Sequence, residues 1–461
     1  MMKPLWTAIA TLNMLAACGG GGGSSALGPT AASCSDADKK TFVLAAAREW
    51  YLFQDLLPAT IDASAYATPD AFLDALTATA RAQSKDRGFS FITSINAEQA
   101  VLAAGTSIGF GVSIRTIANN TRIIVAQVFE ASAAFDAGFV RGDEILAVGD
   151  SVANLQSASS VLASASGITG ALGASTVGLS RTFRVRTAAG ATVDRTVAKR
   201  EFNLNPVNIV RVINRPGLTP VGYLSFRTFV STADAQLRSA FATFRAAGAR
   251  DIIIDLRYNG GGLVSTAELL LNLFAGDRAS QVAYSVKYNP AKASAESTVR
   301  FANLPETANV QRIAFISTDG TASASELVIN ALAPYADVAI VGSRTYGKPV
   351  GQNAYDISSC DFRLRLVAFR SVNRDGNGDY YTGLPDAAFA DAYCSSTEDF
   401  LKPIGDDAEV MTNDALYWIN NASCRVQGTL GLQKSAQFAD AAAPPLIGLT
   451  APLQIYVSGS F

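Results

Sequence analysis

From residue 201 onward, short apolar runs alternate with amphipathic stretches, and this alternation restricts the chain more than any other feature. Val221–Phe226, Asp251–Leu256, Arg312–Ser317 and Val338–Val341 have the length and composition of buried strands. Thr232–Ala247, Leu263–Phe274 and Ala322–Leu332, which lie among them, carry apolar residues at helical spacing. Phe362–Val367 and a weaker run at Val350–Ala354 add strands. Repetition of this kind predicts a sheet with helices packed on it. The whole chain has 461 residues, enough for roughly three domains at about 150 residues each. Hydrophobic residues are 49% and charged residues 16% of it, which excludes a highly charged disordered chain.

The first residues read as an exported leader. Lys3 supplies positive charge, and Leu5–Ala17 is apolar but too short to span a bilayer. Leu15-Ala16-Ala17-Cys18 resembles the bacterial lipobox, which implies lipidation of Cys18. Gly19–Gly23 and Ser24-Ser25 then read as a flexible tether. The expected division is 1–17 signal peptide, 18–33 lipidated cysteine and tether, and 34–98 an N-terminal helical domain. It continues with 99–200 β-rich, 201–425 the α/β body, and 426–461 an extended arm marked by Pro444-Pro445. In the helical domain, Lys40–Leu56 and Pro69–Ala82 are amphipathic, the second with Thr68 as N-cap. Cys34, Cys360, Cys394 and Cys424 form no C-x-x-C pair, so they predict two disulfides in any of three pairings rather than a zinc site.

Between 99 and 200 a strand is expected from Gly109 to Ile114, another at Ile123–Val128, a short helix at Ala131–Gly138, and a turn at Gly142-Asp143 leading into Glu144–Val148. This order resembles a PDZ domain. Gly109, Phe110, Gly111 and Val112 match that family's carboxylate-binding loop, whose backbone N–H groups hold a peptide's C-terminus while the peptide adds to the sheet edge.

The chemistry is bounded by what is missing. There is no histidine, so neither a Ser-His-Asp nor a Cys-His enzyme is possible. With 37 basic against 39 acidic residues the net charge is −2, which gives no field for nucleic acid. Gly105-Thr106-Ser107-Ile108-Gly109 fits G-x-S-x-G but lacks both the histidine and the strand-to-helix turn. Gly342–Pro349 approaches a phosphate loop but ends in proline where magnesium needs a hydroxyl, which argues against a nucleotide. Asn373–Asp379 imitates a calcium loop whose twelfth position is Leu384, so a turn is expected. No metal and no cofactor are called for.

One constellation is left. Thr321-Ala322-Ser323-Ala324-Ser325-Glu326 lies between a strand and a helix, where a serine meets unpaired N–H groups and the positive end of the helix dipole. Downstream, Tyr346-Gly347-Lys348-Pro349-Val350-Gly351-Gln352 follows a strand of the same sheet and can return to that helix start. Lysine serves as a base only when uncharged. Lowering its pKa by about three units from about 10.4 costs the charged form roughly 4 kcal/mol, which burial can supply. Tyr346, Val350 and Val341 are candidate walls, and no carboxylate lies near Lys348 in sequence.

These segments, with Asp255-Leu256-Arg257-Tyr258-Asn259-Gly260-Gly261-Gly262, resemble the C-terminal processing, or tail-specific, peptidases, over about Thr41 to Asp386. The resemblance implies a helical cap, a PDZ-like domain and an α/β protease core of the layered crotonase/Clp-like kind. It implies Ser323 as nucleophile, Lys348 as general base, Gln352 as the residue orienting the lysine, and the N–H groups of Ala324 and Gly261 as oxyanion donors. Glu326 is read as serving the helix N-terminus. Pro349 stands where the family usually has glycine, Gly260 where it has proline, and Pro334 where some members carry an aspartate. The function implied is a serine endopeptidase of the bacterial cell envelope. It would be lipid-anchored, facing the periplasm or held at the outer membrane, and would act on proteins or peptides with exposed C-termini. The rivals are a non-cleaving PDZ-bearing scaffold and a nucleotide-dependent protein.

Overall fold

The computed structural model describes residues 33–117, 121–386, 389 and 392–425. The segments expected as leader, tether and extended arm, with Cys18, fall outside the described residues. Helix α1 (Asp36–Trp50) starts at Ser35, whose hydroxyl accepts from the Asp38 N–H at 3.2 Å. It stops short of Leu56 because Tyr51 turns extended and sends its hydroxyl to Asp86, 2.8 Å away. Helix α2 (Pro69–Ala82) has the expected limits, with Thr68 capping the Ala71 N–H and Pro69 at a first position that needs no donor. A turn at 86–90, strand β1 (Phe91–Thr93) and α3 (Ile95–Leu102) follow. Phe42, Val43, Phe72 and Leu76 of this cap share one apolar cluster with Val350, Leu364 and Leu366. The cap therefore has no core separate from the body.

The middle module runs β2 (Thr106–Gly109), β3 (Val112–Ile117), β4 (Arg122–Val128), α4 (Ala133–Asp136), β5 (Glu144–Gly149), β6 (Gln156–Ser157), α5 (Ala158–Ala163), α6 (Gly167–Leu172), β7 (Ser180–Arg186), β8 (Thr192–Ala198) and β9 (Arg200–Asn203). Its main sheet has the order β3-β4-β5-β7-β8, with β6 on β5, while β2 pairs with β9. The single strand expected from Gly109 to Ile114 is broken at Phe110-Gly111. Gly111 has φ +82°, and a Cβ there would come within 2.0 Å of the Ser132 Cβ, so only glycine makes this corner. Ser107 sits buried inside β2, which leaves the G-x-S-x-G match without a turn.

The body contains β10 (Val207–Ile213), β11 (Val221–Phe226), α7 (Asp234–Ala246), β12 (Asp251–Asp255), α8 (Val264–Leu273), β13 (Val282–Tyr288), β14 (Ser297–Arg300), β15 (Arg312–Ser317), α9 (Ala324–Leu332), β16 (Asp337–Gly342), β17 (Val350–Ile357), β18 (Phe362–Asn373), β19 (Tyr393–Ser395) and α10 (Val410–Asn421). Strands order as β10-β11-β12-β15-β16-β19, parallel from β11 onward. A second, antiparallel sheet runs β1-β18-β13-β14, with β17 on β18. Leu270 of α8 and Leu327 and Ile329 of α9 join Ile252 and Phe315 of the first sheet and Tyr284 and Ala368 of the second in one cluster. These helices thus lie between two sheets, while α10 covers the outer face of the first through Met411, Ala415 and Trp418. Asn373–Asp379 is a turn, with the Asn373 Oδ1 accepting from the N–H groups of Asp375 and Asn377. Cysteine pairing is Cys34–Cys360 and Cys394–Cys424: one bond ties the cap to the β17–β18 turn, the other ties β19 to the end of α10.

Candidate active site

The parallel sheet delivers its loops to one edge, and the two that matter follow β12 and β15. After β15 the chain turns sharply into α9 at Ser323, whose φ of 62° and ψ of −115° are costly for a residue with a Cβ, on the order of 1–3 kcal/mol. Fixed partners hold the turn. Ala322 N–H donates to the Asn259 carbonyl at 3.0 Å, Ser325 Oγ to the same carbonyl at 3.0 Å, and Thr321 Oγ1 to the Leu256 carbonyl at 2.7 Å. Strain of this kind at a strand-to-helix turn presents one side chain at the start of a helix. It was not visible in the residue pattern.

Glu326, one turn into α9, organises the site more widely than a helix cap would. It lies in a helix buried along its whole length. Its Oε2 accepts the N–H groups of Ser323 and Lys348, both at 2.8 Å. Its Oε1 accepts the Gly347 N–H at 2.7 Å and the Thr345 hydroxyl. One carboxylate oxygen therefore joins the backbones of the two residues singled out in the sequence. Burial pushes the Glu326 pKa up, while the four donors around it pull the other way. A glutamate three residues after the serine, in an apolar segment with no basic residue to pair it, was the available signal for this role.

Lys348 lies in the loop between β16 and β17 and is fully shielded from solvent. Its Nζ donates to Gln352 Oε1 at 3.0 Å and sits 5.3 Å from the centre of the Phe89 ring. Burial holds its pKa well below the ordinary lysine value. Asp86 and Glu326 act against this and Arg365 with it. The absence of a nearby acid in sequence is thus corrected: two carboxylates are close in space, and desolvation outweighs them. Val350 is buried as expected, but the aromatic wall comes from Phe89 of the cap.

The loop after β12 lies against Ser323. Gly261 has φ +100°, and a Cβ on it would fall 2.8 Å from both the Ala324 nitrogen and the Ser323 Cβ, so glycine is required for this approach. Ala324 is the first residue of α9, beside the Gly261 backbone. The Gly261 N–H, expected as an oxyanion donor, instead donates to Asn259 Oδ1 at 2.9 Å in this conformation. Asn259 also donates to the Phe226 carbonyl at 2.9 Å and so sets the loop's shape, a role the sequence reading missed. Arg257 anchors the loop's base, fully buried between Asp255 and Glu409, each at 2.9 Å. Glu409 is held down at about 2: burial alone would raise it, but the Arg257 charge prevails.

The glycine corner of the middle module stands apart from this cluster. Its Phe110 carbonyl accepts from the Ala134 N–H at 2.8 Å and its Gly111 carbonyl from the Phe129 N–H at 2.9 Å. Val112 begins β3, at the edge of its sheet. From the same strand Arg115 forms an ion pair with Asp319, four residues before Ser323. Ile117, Ile124 and Ala126 pack on Tyr258 and Phe400. A crevice of about 520 Å³ lies along this junction, lined by Arg115, Asp319, Arg344, Thr345, Glu398 and Phe400 among others.

Two stretches match family descriptions: residues 220–384 "Peptidase family S41" and residues 38–91 "Peptidase S41 N-terminal domain". Among curated proteins, the chain is 31% identical over 261 residues to the Arabidopsis thaliana chloroplastic carboxyl-terminal-processing peptidase 1, covering 54% of this chain and 49% of that protein. It is 30% identical over 169 residues to the Bacillus subtilis carboxy-terminal processing protease CtpA, covering 36% and 34%. The chain thus spans a third to a half of the length of such relatives. The crystal structure of a Bacteroides fragilis protein named for the S41 proteases superposes with a TM-score of 0.64 at 25% identity, over 83% of this chain and 97% of that one. In its layered α/β body, residues 220–384, and its helical cap, residues 38–91, the chain is thus similar to the peptidase and N-terminal domains of family S41.

Proposed function

We propose that the chain is a serine endopeptidase in which Ser323 is the nucleophile and Lys348 the base, and that it acts on exported proteins after capture of their C-termini. The observation that carries this reading is a fully buried amine, its pKa lowered well below the ordinary lysine value by burial, whose backbone shares a carboxylate oxygen with that of the serine. Stranding an amine in the interior costs stability, and such a cost is characteristic of functional sites. Lys348 Nζ takes the hydroxyl proton as Ser323 Oγ attacks a peptide carbonyl carbon. The resulting oxyanion faces the start of α9 and its Ala324 N–H. The ammonium returns its proton to the leaving amine, the acyl-enzyme forms, and the free amine then activates water for deacylation. Ser323 is enclosed and the Gly261 N–H engaged here, so substrate entry has to expose the first and release the second. That enclosure is also what a non-cleaving scaffold would display. Mass spectrometry of an unfolded protein incubated with the chain and with Ser323→Ala decides between them: fragments from the first alone support the peptidase, and fragments from both or neither refute it.

The corner at Gly109, Phe110, Gly111 and Val112 is proposed as the PDZ-type carboxylate loop. Its two carbonyls are turned onto 129–134, and the free edge of β3 begins beside it. A peptide added antiparallel to β3, with its carboxylate at this corner, would run past Arg115 toward Asp319 and the crevice. A peptide with an amidated C-terminus is therefore expected to lose at least about tenfold in kcat/KM, chiefly through KM. Equal cleavage of the acid and the amide would remove this role.

Export as a lipoprotein is proposed from Lys3, the apolar run and Cys18. Pairing of all four cysteines among the described residues supports an oxidising compartment. Metabolic labelling with a fatty acid in a bacterial host should mark the full chain and fail to mark Cys18→Ser; equal labelling of the two would refute the anchor.

A further inference from the structure

The turn at 86–90 belongs to the helical cap, yet it meets the lysine's surroundings at three points. Arg87 donates from one guanidinium nitrogen to the carbonyls of Tyr346 at 2.7 Å and Gly347 at 2.6 Å, the two residues before Lys348. The same guanidinium lies 4.2 Å from the centre of the Tyr346 ring. The Phe89 carbonyl accepts from Gln352 Nε2. The Phe89 ring faces both the lysine amine and, at 6.1 Å and steeply inclined, the ring of Tyr346. The turn itself is held in place. Asp86 accepts from the Tyr51 hydroxyl at 2.8 Å and from the Ser90 N–H at 3.0 Å and hydroxyl at 2.7 Å, and Ser90 Oγ accepts from the Val367 N–H of β18 at 3.0 Å.

The direction of the Gln352 amide follows from this contact. A peptide carbonyl can only accept, so the glutamine must turn its nitrogen toward Phe89 and its oxygen toward the lysine. An uncharged amine has two N–H bonds and one lone pair. Donation to Gln352 Oε1 uses a hydrogen and leaves the lone pair for the serine proton. The opposite amide orientation would point an N–H at the amine and occupy that lone pair.

We infer that the Asp86–Ser90 turn is a positioning element for the base, with the Phe89 carbonyl fixing the polarity of Gln352 and Arg87 fixing the Tyr346-Gly347 segment that carries Lys348. This rests on the reading of Lys348 as the base. Charged groups facing the lysine are Asp86 from the turn itself, Glu326 from α9 and Arg365 from β18, with Arg87 beyond Tyr346. Arg87 touches no reacting atom and acts through the segment it clamps.

The test uses the full chain, an unfolded protein substrate, and the variants Arg87→Ala and Arg87→Lys beside Ser323→Ala and Lys348→Ala. In Arg87→Ala, kcat should fall roughly ten- to hundredfold while KM stays within about twofold, the signature of a displaced catalytic group. The acid limb of kcat/KM should also move, because the amine's enclosure changes. Arg87→Lys, which keeps a cation for the two carbonyls but cannot stack flat on Tyr346, should recover part of the loss. An unchanged kcat and acid limb in Arg87→Ala overturns the inference, as does a loss that follows only the amount of folded protein. If Arg87→Ala does not fold, Arg87→Lys is judged by the same two readouts, and wild-type values for both overturn the inference. Full activity in Ser323→Ala and Lys348→Ala would instead overturn the peptidase reading, so the two failures are separable.

Discussion

Alanine at Ser323 or at Lys348 is expected to lower the turnover of an unfolded protein by at least about four orders of magnitude, with the double variant no worse than either single one. In the proposed mechanism the two groups act as one unit, since the attack needs both the hydroxyl and the amine that takes its proton, and the chain has no histidine to stand in as base. Losses that instead multiplied in the double variant would mean that each residue acts alone. The pH profile gives the sign. Below its lowered pKa the lysine is protonated and cannot accept, so kcat/KM rises with pH and levels off well short of the ordinary lysine value. A flat profile between about pH 5 and 9 would exclude a lysine base. Stability reports the same amine without catalysis. Between the lowered folded pKa and the ordinary value, the unfolded chain binds a proton that the folded one does not, so stability rises with pH across that window and is lost as pH falls toward the folded pKa. Lys348→Met lacks this dependence. The wild-type Tm should therefore gain on that of Lys348→Met as pH is raised, and parallel curves would refute the burial of an uncharged amine.

Glu326→Gln should be nearly as damaging to activity as removal of a catalytic group, although it conserves shape. Each carboxylate oxygen receives two donors, so an amide must turn its NH2 toward one pair of them. The serine turn or the lysine loop then shifts, and a displacement of about 1 Å costs on the order of a hundredfold in kcat. Glu326→Ala strands three buried N–H groups and should destabilise the fold by about 3–5 kcal/mol, measured by denaturant unfolding. Activity within twofold of wild type in Glu326→Gln would show that the carboxylate does not hold these loops.

What was legible in the sequence was local. Val221–Phe226, Arg312–Ser317 and Pro69–Ala82 have the predicted limits because apolar spacing and capping residues act within a few positions. β18 runs on from Val367 to Asn373 because its polar end is paired from afar, the Asn373 amide donating to the Asn330 carbonyl. Strands β13 and β14 and helix α10 carry signals too weak to separate from loop, and form because the sheets offer them edges and faces. At the site, motif spacing singled out Ser323, Lys348 and Gln352. It did not reach the groups that hold them: Phe89 is 263 residues from the glutamine it orients, and Arg87 is 259 from Tyr346. Chain distance also hid Asp86 and Glu326 from the lysine's electrostatics, since a carboxylate counts by where it folds to.

The bond between Cys34 and Cys360 decides how the protein responds to being pulled. It enters the chain ahead of α1 and leaves at the turn joining β17 and β18. Tension arriving from the N-terminal side at Cys34 passes straight into that hairpin. Helix α1, α2 and the turn that clamps the lysine loop sit inside the covalent loop and carry none of it. A load applied at that end therefore reaches the second sheet, whose β17 carries Gln352, without first passing along the helices of the cap.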